Sequence, residues 1–198
     1  MSAILAIDTS TSRTSVGLLV NNLVNNLANN LVKNEALWSE YEDGATAHAE
    51  AVPRLVKKAL SINNEISQVI VGMGPGPYTG LRAGISFAQA FAWARNIELT
   101  GVCSLDAIAS SAPEFIAATD ARRKEIYWAV YKDGKRVDGP HVSLPSEVEG
   151  KVFVGEGAHK YGLTDVATYP DVSLFAQLPR IDQPMYLRRP DAVPTLER

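Results

Sequence analysis

The stretch that decides the fold class spans residues 68–102 and reads QVIVGMGPGPYTGLRAGISFAQAFAWARNIELTGV. Residues 68–71 form a short apolar run bounded by glycine, which predicts a buried parallel strand. Glycines and prolines crowd 72–80, and an apolar helical pattern follows over 81–95. The next strand is predicted over 98–102. Strand, helix and strand in this order indicate an α/β fold.

The segments on the N-terminal side extend this sheet. Residues 3–7, 14–20 and 37–41 have strand patterns, and 45–60 has the apolar spacing of a helix. Pro53 is expected to kink that helix or to mark its first regular turn. Because consecutive strands precede the first helix, we expect antiparallel hairpins at the edge of a mixed sheet with helices on both faces.

A four-residue unit repeats three times over 21–32, as NNLV, NNLA and NNLV. A period of four is too short for a solenoid, and asparagine prefers turns to helices. Without two of the copies the segment reads as an ordinary hairpin with an Asn-Asn turn. We interpret the repeat as a local duplication that lengthens a hairpin tip; a functional loop is the alternative.

The second half predicts a smaller unit. Strands are expected over 114–119 and 125–131, joined by a polar turn, with a short strand over 151–154. The turn contains Asp120 and Arg122, which either form a solvated hairpin turn or hold two lobes together. We therefore expect an N-terminal lobe, 1–108, and a C-terminal lobe, 109–198.

Composition excludes several classes of protein. The 198 residues are 46% hydrophobic and 21% charged, as in a folded globular chain. The net charge of −3 argues against stable binding of nucleic acid by this chain alone. Cys103 is the single cysteine, so no disulfide within the chain and no thiolate metal cluster can form. No apolar run reaches the ~20 residues of a membrane span, and Asp8 interrupts any secretory signal early. We expect a cytoplasmic protein without membrane contact.

Two features are candidate chemical sites. The glycine-rich loop follows a strand and opens a helix, a position that attracts phosphate, although its spacing matches neither the Walker loop nor the dinucleotide fingerprint. It is therefore an anion cradle or a rigid crossover, and its residues of interest are Gly74, Gly76, Thr79, Gly80 and Arg82. Asp8 ends the first strand beside Thr9 and is either a magnesium ligand or the cap of a hydroxyl-rich turn.

Few other residues are candidates for catalysis. No two of the three histidines lie within a helical turn, and the zinc-protease and hydrolase motifs are absent. We expect no catalytic residue, no bound metal and no cofactor. The helix over 81–95 has only Ser86 and Gln89 as polar side chains before Arg95, which predicts burial on most sides. Its partner is either the core of this chain or another subunit.

Five motifs in order resemble the bacterial TsaB (YeaZ) family. They are ILAIDTST at 4–11, GMGPGPYTGLRAG at 72–84, SLDA at 104–107, DARRKEIYWAVY at 120–131 and PMYLR at 184–188. The resemblance implies an actin/Hsp70-like (ASKHA) fold of two lobes. It also implies a role in forming threonylcarbamoyladenosine beside the tRNA anticodon, as a non-catalytic subunit that dimerises with the catalytic paralogue TsaD and supports the ATPase TsaE.

The resemblance further implies where the partner would bind. In such a family the helix after the glycine-rich loop and the helix that begins near His48 form the dimer interface. The residues expected there are His48, Val52, Leu55, Phe87, Ala90, Phe91 and Ala94. Asp8 and Thr9 would mark a vestigial phosphate or metal position, and self-association without TsaD is left open. The alternative function is an ATP- or sugar-phosphate-handling enzyme of the same superfamily.

Overall fold

The computed structural model describes residues 2–23, 32–44 and 46–188. Their strands form a six-stranded sheet in the order β10-β5-β4-β1-β2-β3 and a four-stranded sheet in the order β8-β7-β6-β9. The elements are β1 (Ala3–Asp8), β2 (Arg13–Leu23), β3 (Val32–Asp43), α1 (His48–Ile62), β4 (Ile66–Gly72), α2 (Tyr78–Arg95), β5 (Glu98–Val102), β6 (Glu114–Asp120), β7 (Ile126–Lys132), β8 (Lys135–Ser143), β9 (Phe153–Val154), α3 (Glu156–Lys160) and β10 (Arg180–Ile181). Short 3₁₀ helices occupy Ser104–Ala107, Pro145–Glu147 and Val172–Gln177. The predicted α/β class with mixed sheets is confirmed.

Strand β1 lies inside the first sheet, antiparallel to β2 and parallel to β4. All six of its residues are buried, because helices cover one face and the 3₁₀ helix Val172–Gln177 covers the other. Strand β4 is also parallel to β5, as its short apolar run predicts. This central position puts Asp8, the last residue of β1, at the carboxyl end of the sheet beside the glycine-rich loop.

Helices α1 and α2 pack side by side on one face of the first sheet. Val52, Leu55 and Ala59 of α1 share a core with Leu81 and Ile85 of α2 and with apolar residues of β1, β2 and β4. Helix α1 runs unbroken through Pro53. Helix α2 begins three residues earlier than its apolar pattern indicated, at Tyr78.

The opposite face of this sheet is covered from the C-terminal half of the chain. Phe175 is fully buried there against Ile4, Leu19 and Ile70, and β10 pairs antiparallel with β5. The predicted lobe boundary near 108 separates the main strands of the two sheets, but residues 172–181 return to the first sheet. The division into 1–108 and 109–198 stays a prediction.

The asparagine repeat lies partly within a hairpin. Strands β2 and β3 pair as far as Leu23 and Val32, and the predicted tip, 24–31, falls outside the described residues.

Strand β8 was absent from the sequence prediction because its residues lack a regular alternation of apolar side chains. It pairs with β7 through the turn at Asp133 and Gly134. In the three described ranges, no helix is long and apolar enough to cross a membrane.

Candidate partner surface and the Asp8 cleft

The Asp8 carboxylate is satisfied by hydroxyl groups of its own chain. Its Oδ1 accepts hydrogen bonds from the Ser10 amide at 3.0 Å and the Ser10 hydroxyl at 2.7 Å. Its Oδ2 accepts one from the Ser104 hydroxyl at 2.7 Å. Burial raises the pKa of the Asp8 carboxyl, and the hydrogen bonds from Ser104 and Ser10 act against that rise. The geometry is that of a carboxylate capping its own turn, which was one of the two expectations for Asp8.

The glycine-rich loop packs directly against this turn. A side chain at Gly76 would collide with the Ser10 backbone, and one at Gly84 would collide with the Thr9 side chain. The Thr9 hydroxyl donates to the Gly80 carbonyl at 2.8 Å. A phosphate would have to lie between the turn that follows β1 and the N-terminus of α2. Contacts between these two segments already fill that space. Of the loop residues singled out by sequence, Gly74, Gly76 and Gly80 are buried, while Thr79 and Arg82 are exposed.

His48 joins the start of α1 to this region. Its Nδ1 lies 2.7 Å from the Thr14 hydroxyl, and its ring also approaches Gly80. Burial and the positive charge of Arg122 lower the pKa of His48, and a hydrogen bond to the Thr11 backbone opposes them. The imidazole is thus a neutral packing group that holds the first turns of α1 and α2 together.

Helix α2 buries one side and exposes the other. Gly80, Leu81, Gly84, Ile85, Ala88 and Ala92 form the buried side. On the outer face Ala90, Trp93 and Ala94 are exposed, with 87% of Trp93 accessible to solvent. Phe87 and Phe91 lie at the border, with ring centroids 6.0 Å apart. We call Phe87, Ala90, Phe91, Trp93 and Ala94 the outer face of α2.

The residues expected at a partner interface divide into two groups. Ala90 and Ala94 are exposed and Phe87 and Phe91 are partly exposed, as a contact surface requires. His48, Val52 and Leu55 are buried, because α1 lays this side on β2 and α2. The latter three are unavailable to another subunit in this conformation, so the interface hypothesis is confined to the outer face of α2.

Asp120 and Arg122 do more than form a solvated turn. The Asp120 carboxylate is buried and accepts hydrogen bonds from Lys160 at 2.6 Å and the Tyr161 hydroxyl at 3.2 Å. Arg122 lies 3.7 Å from the same carboxylate. The Asp120 amide donates to Glu156 at 2.9 Å, and burial raises the pKa of Glu156. This cluster ties α3 to the end of β6.

Two polar clusters were missed by sequence reasoning. The Asp106 carboxylate accepts hydrogen bonds from the Tyr131 hydroxyl at 2.7 Å and from Arg136 Nε at 2.9 Å, so it ties the 3₁₀ helix after β5 to the second sheet. The Arg13 guanidinium lies between the Tyr41 and Tyr169 rings, 3.6 Å and 3.8 Å from their centroids. Asp106 and Tyr131 each stood in a quoted motif, but no local pattern predicts that they meet, and Arg136 lies outside the motifs. Within 2–23, 32–44 and 46–188, no group of three His, Cys, Asp or Glu residues is arranged to hold a metal.

Comparison with known proteins identifies the family. A family model described as TsaD, tRNA N6-adenosine threonylcarbamoyltransferase, matches residues 40–172. A Mycobacterium tuberculosis (strain H37Rv) protein is 35% identical over 211 residues, covering 98% of this chain and 95% of that protein. The tRNA threonylcarbamoyladenosine biosynthesis protein TsaB of Escherichia coli (strain K12) is 33% identical over 148 residues, covering 65% of this chain and 54% of that protein.

The solved structure of YeaZ from Pseudomonas aeruginosa matches with a TM-score of 0.70 at 25% identity, and the match covers 90% of both chains. The chain belongs to the TsaB/YeaZ family. Membership confirms the resemblance carried by the five motifs, and the match to YeaZ confirms the two-lobed ASKHA-like α/β fold. The chain spans 54% of the length of the E. coli TsaB and 57% of a similar Mycobacterium leprae protein.

Proposed function

We propose that this chain is a non-catalytic subunit required for forming threonylcarbamoyladenosine in tRNA, and that it acts by pairing with a TsaD-type catalytic paralogue. The TsaB names of its relatives and the TsaD family model supply the pathway. The observation that carries the role of a partner subunit is the outer face of α2. There Trp93, with 87% of its surface exposed, accompanies exposed Ala90 and Ala94, with Phe87 and Phe91 partly buried at the border and Ser86 and Gln89 as exposed polar residues of the same helix.

A helix partner suits this face. Alanines at 90 and 94 lie one turn apart, so a second helix can approach to the 8–10 Å typical of packed helices. Trp93 and the two border phenylalanines supply the aromatic anchors that dominate the energy of protein interfaces. Covering this surface with a partner is favourable, because each Å² of apolar area removed from water contributes roughly 25 cal/mol to the free energy of association.

The packing around Asp8 supports a role without chemistry. The carboxylate that a metal would need already accepts three hydrogen bonds from Ser10 and Ser104. The glycine-rich loop, where a phosphate would approach, is packed on Thr9 and Ser10. We therefore propose that Asp8 and Thr9 are vestiges of a phosphate or metal position, and that this chain needs no cofactor.

The rival function is an ATP- or sugar-phosphate-handling enzyme. It requires the turn at 9–12 to move away from the glycine-rich loop so that phosphate can enter. Equilibrium binding of labelled ATP with and without magnesium distinguishes the two, and we expect no saturable binding by the isolated chain. Magnesium-dependent binding would favour the rival.

We further propose that the pair supports recruitment of a TsaE-type ATPase, and that it works in the cytoplasm, where tRNA is modified. When the TsaD-type partner is absent, the same apolar face would favour self-association. An isologous contact needs only that the α2 face be complementary to itself.

Reconstitution tests the proposed function. Purified TsaD-type and TsaE-type proteins and the upstream threonylcarbamoyl-AMP synthase are mixed with tRNA, ATP, threonine and bicarbonate, with and without this chain. We expect modified adenosine only when the chain is present and none from the chain alone. Equal product without the chain would overturn the proposal.

A further inference from the structure

The turn between β6 and β7 presents three cations in succession. Arg122, Arg123 and Lys124 are all exposed, and their φ angles are 63°, 52° and 65°. Left-handed backbone costs a residue with a side chain roughly 1–2 kcal/mol, and turns usually place glycine or asparagine there. Long basic side chains in these positions therefore have no local conformational advantage, although all three residues are exposed at the end of the hairpin.

A strip of contacts continues this turn across the molecule to α2. Arg188 donates to the Arg122 carbonyl at 3.4 Å and pairs with Glu125. Two residues earlier, the Tyr186 ring lies 5.2 Å from the Tyr78 ring, centroid to centroid. Arg82 in turn donates to the Tyr78 hydroxyl at 3.3 Å. We call the turn 122–124 together with Arg188, Tyr186, Tyr78 and Arg82 the Tyr–Arg rim.

The rim is cationic although the chain as a whole is acidic. Its five basic residues outnumber the two carboxylates beside it: Asp120 is buried, bonded to Lys160 and 3.7 Å from Arg122, and Glu125 pairs with Arg188. Helix α2 begins at Tyr78, so the positive end of its dipole lies at the same edge. His48 at the start of α1 is close enough to Arg122 for that charge to lower its pKa.

The combination of rings and cations specifies the ligand chemistry. Tyr78 and Tyr186 are 54% and 45% exposed, so both side chains remain accessible to a base although their rings contact each other. Unpaired bases of RNA stack on aromatic side chains and guanidinium groups, while Lys and Arg neutralise phosphates. Each nucleotide of an unpaired RNA segment carries both a base and a phosphate, so RNA would engage the rings and the cations together.

We propose, building on the proposed function, that the Tyr–Arg rim binds the tRNA substrate within the assembled complex. The turn 122–124 contacts phosphates, and Tyr78 and Tyr186 stack on unpaired bases. The net charge of −3 limits what the chain binds by itself. The rim therefore adds to a binding surface that the catalytic partner shares.

The test is tRNA binding by the assembled complex at several salt concentrations. The double variant Arg123→Gln, Lys124→Gln removes two exposed charges, and its matched control is Lys132→Gln, Lys135→Gln at the opposite end of β7. We expect the first pair to weaken binding at least fivefold at about 0.1 M salt and to lower the salt slope by about 1 to 2, since each lost phosphate contact removes nearly one unit. The control pair should leave both unchanged.

A second variant separates stacking from charge. Tyr186→Ala should weaken binding about fivefold or more, since stacking is worth roughly 1–3 kcal/mol per base, with an unchanged salt slope. Association of each variant with the TsaD-type partner is measured by sedimentation. Unaltered tRNA binding in both rim variants would overturn the inference, and so would loss of partner association in place of tRNA binding. A wild-type complex that binds tRNA through the rim but makes no product would contradict the proposed function alone.

Discussion

At the scale of single residues, His48 shows how burial converts a titratable group into a packing group. It was expected at a partner surface, but the structure places it between Thr14 and the Gly80 backbone. The neutral ring can accept a hydrogen bond from the Thr14 hydroxyl at Nδ1 and donate one to the Thr11 backbone through its other nitrogen. Both ring nitrogens then have a partner without a positive charge on the ring. Protonation would put a cation in a buried place that Arg122 already makes positive.

The lowered pKa of His48 predicts a pH dependence of stability. The unfolded chain takes up a proton near the ordinary histidine pKa of about 6.5, while the folded chain does so only at lower pH. Stability from the neutral imidazole is therefore fully present above pH 6.5 and is lost as pH falls through that value toward the folded pKa. Urea unfolding at pH 7.5, 6.5 and 5.5 should show a smaller loss for His48→Gln than for the wild type.

The matched control for this experiment is His159→Gln, because His159 is exposed. This variant should follow the wild-type profile. Equal pH slopes for His48→Gln and the wild type would show that His48 does not contribute to the acid sensitivity. Buried Asp8 and Glu156, whose pKa values are raised, act in the opposite direction and cancel in the comparison.

At the scale of elements, the contact between the 9–12 turn and α2 depends on the absence of a side chain at Gly84. Gly84→Ala would gain up to about 1 kcal/mol of helix propensity but would drive a methyl group into Thr9. Overpacking of this kind costs about 1–3 kcal/mol, so we expect a net loss of unfolding free energy. Urea unfolding of Gly84→Ala, Thr9→Ala and the double variant measures the coupling.

The double variant should be more stable than the sum of the single changes allows, because Thr9→Ala removes the hydroxyl that the new methyl group meets. Thr9→Ala alone should cost about 1 kcal/mol through its hydrogen bond to the Gly80 carbonyl. If the changes in unfolding free energy were strictly additive, contact with Thr9 would not be the reason for glycine at position 84.

The outer face of α2 makes a separate prediction about association. Ala90→Arg should leave the folded chain intact and weaken pairing with the TsaD-type protein at least tenfold, since an unpaired buried charge is costly at an interface. Trp93→Ala should weaken it by about thirtyfold if it is an anchor worth roughly 2 kcal/mol. Analytical ultracentrifugation of the two-protein mixture provides the measurement.

Val137→Ala is the control for Trp93→Ala, because Val137 is an apolar residue on β8 with 60% of its surface exposed. It should change neither stability nor pairing. Normal pairing by both α2 variants would place the interface elsewhere and would remove the main support for the proposed role.

At the scale of the whole molecule, residues 172–181 connect the C-terminal half to the first sheet. Phe175 is fully buried against β1, β2 and β4, while Asp106, in the 3₁₀ helix that follows β5, binds Tyr131 and Arg136 of the second sheet. These contacts are long-range in sequence, so the two sheets should unfold together despite forming separate hydrophobic clusters.

Phe175→Ala tests that cooperativity. Truncation of a buried phenylalanine costs about 3–5 kcal/mol, and we expect a large fall in the denaturation midpoint with one transition retained. Val166→Ala, at a side chain that is 65% exposed, should have little effect. Two separate transitions in Phe175→Ala, followed by far-ultraviolet circular dichroism and tryptophan fluorescence, would show that the lobes are independent.

Local patterns made much of the fold predictable. The strand at 98–102 was predicted at its observed limits, and β4 was recognised as a buried parallel strand because its apolar run is short and bounded by glycine. Strand β8 was missed because its segment, Lys135–Ser143, is stabilised by pairing with β7 and has no periodic pattern of its own. Pattern detects a strand only where one face is consistently apolar.

The candidate site was predictable in part. The hydroxyl-rich turn suggested that Asp8 caps its own segment, since aspartate commonly accepts from the amide two residues on. Its third donor, Ser104, is 96 residues away, and only the sheet brings them together. The same holds for Arg13 between Tyr41 and Tyr169.

The sequence by itself determined the α/β class, most strand and helix positions and the family, because periodicity, turn residues and motif order are properties of neighbouring residues. Only the tertiary structure decided that Val52 and Leu55 face the core while Ala90 and Trp93 face solvent. Helix α2 is apolar on nearly every side, so its sequence does not indicate which side is buried. The side that is buried is selected by the sheet beneath it and by the Thr9 turn, which needs glycine at 80 and 84.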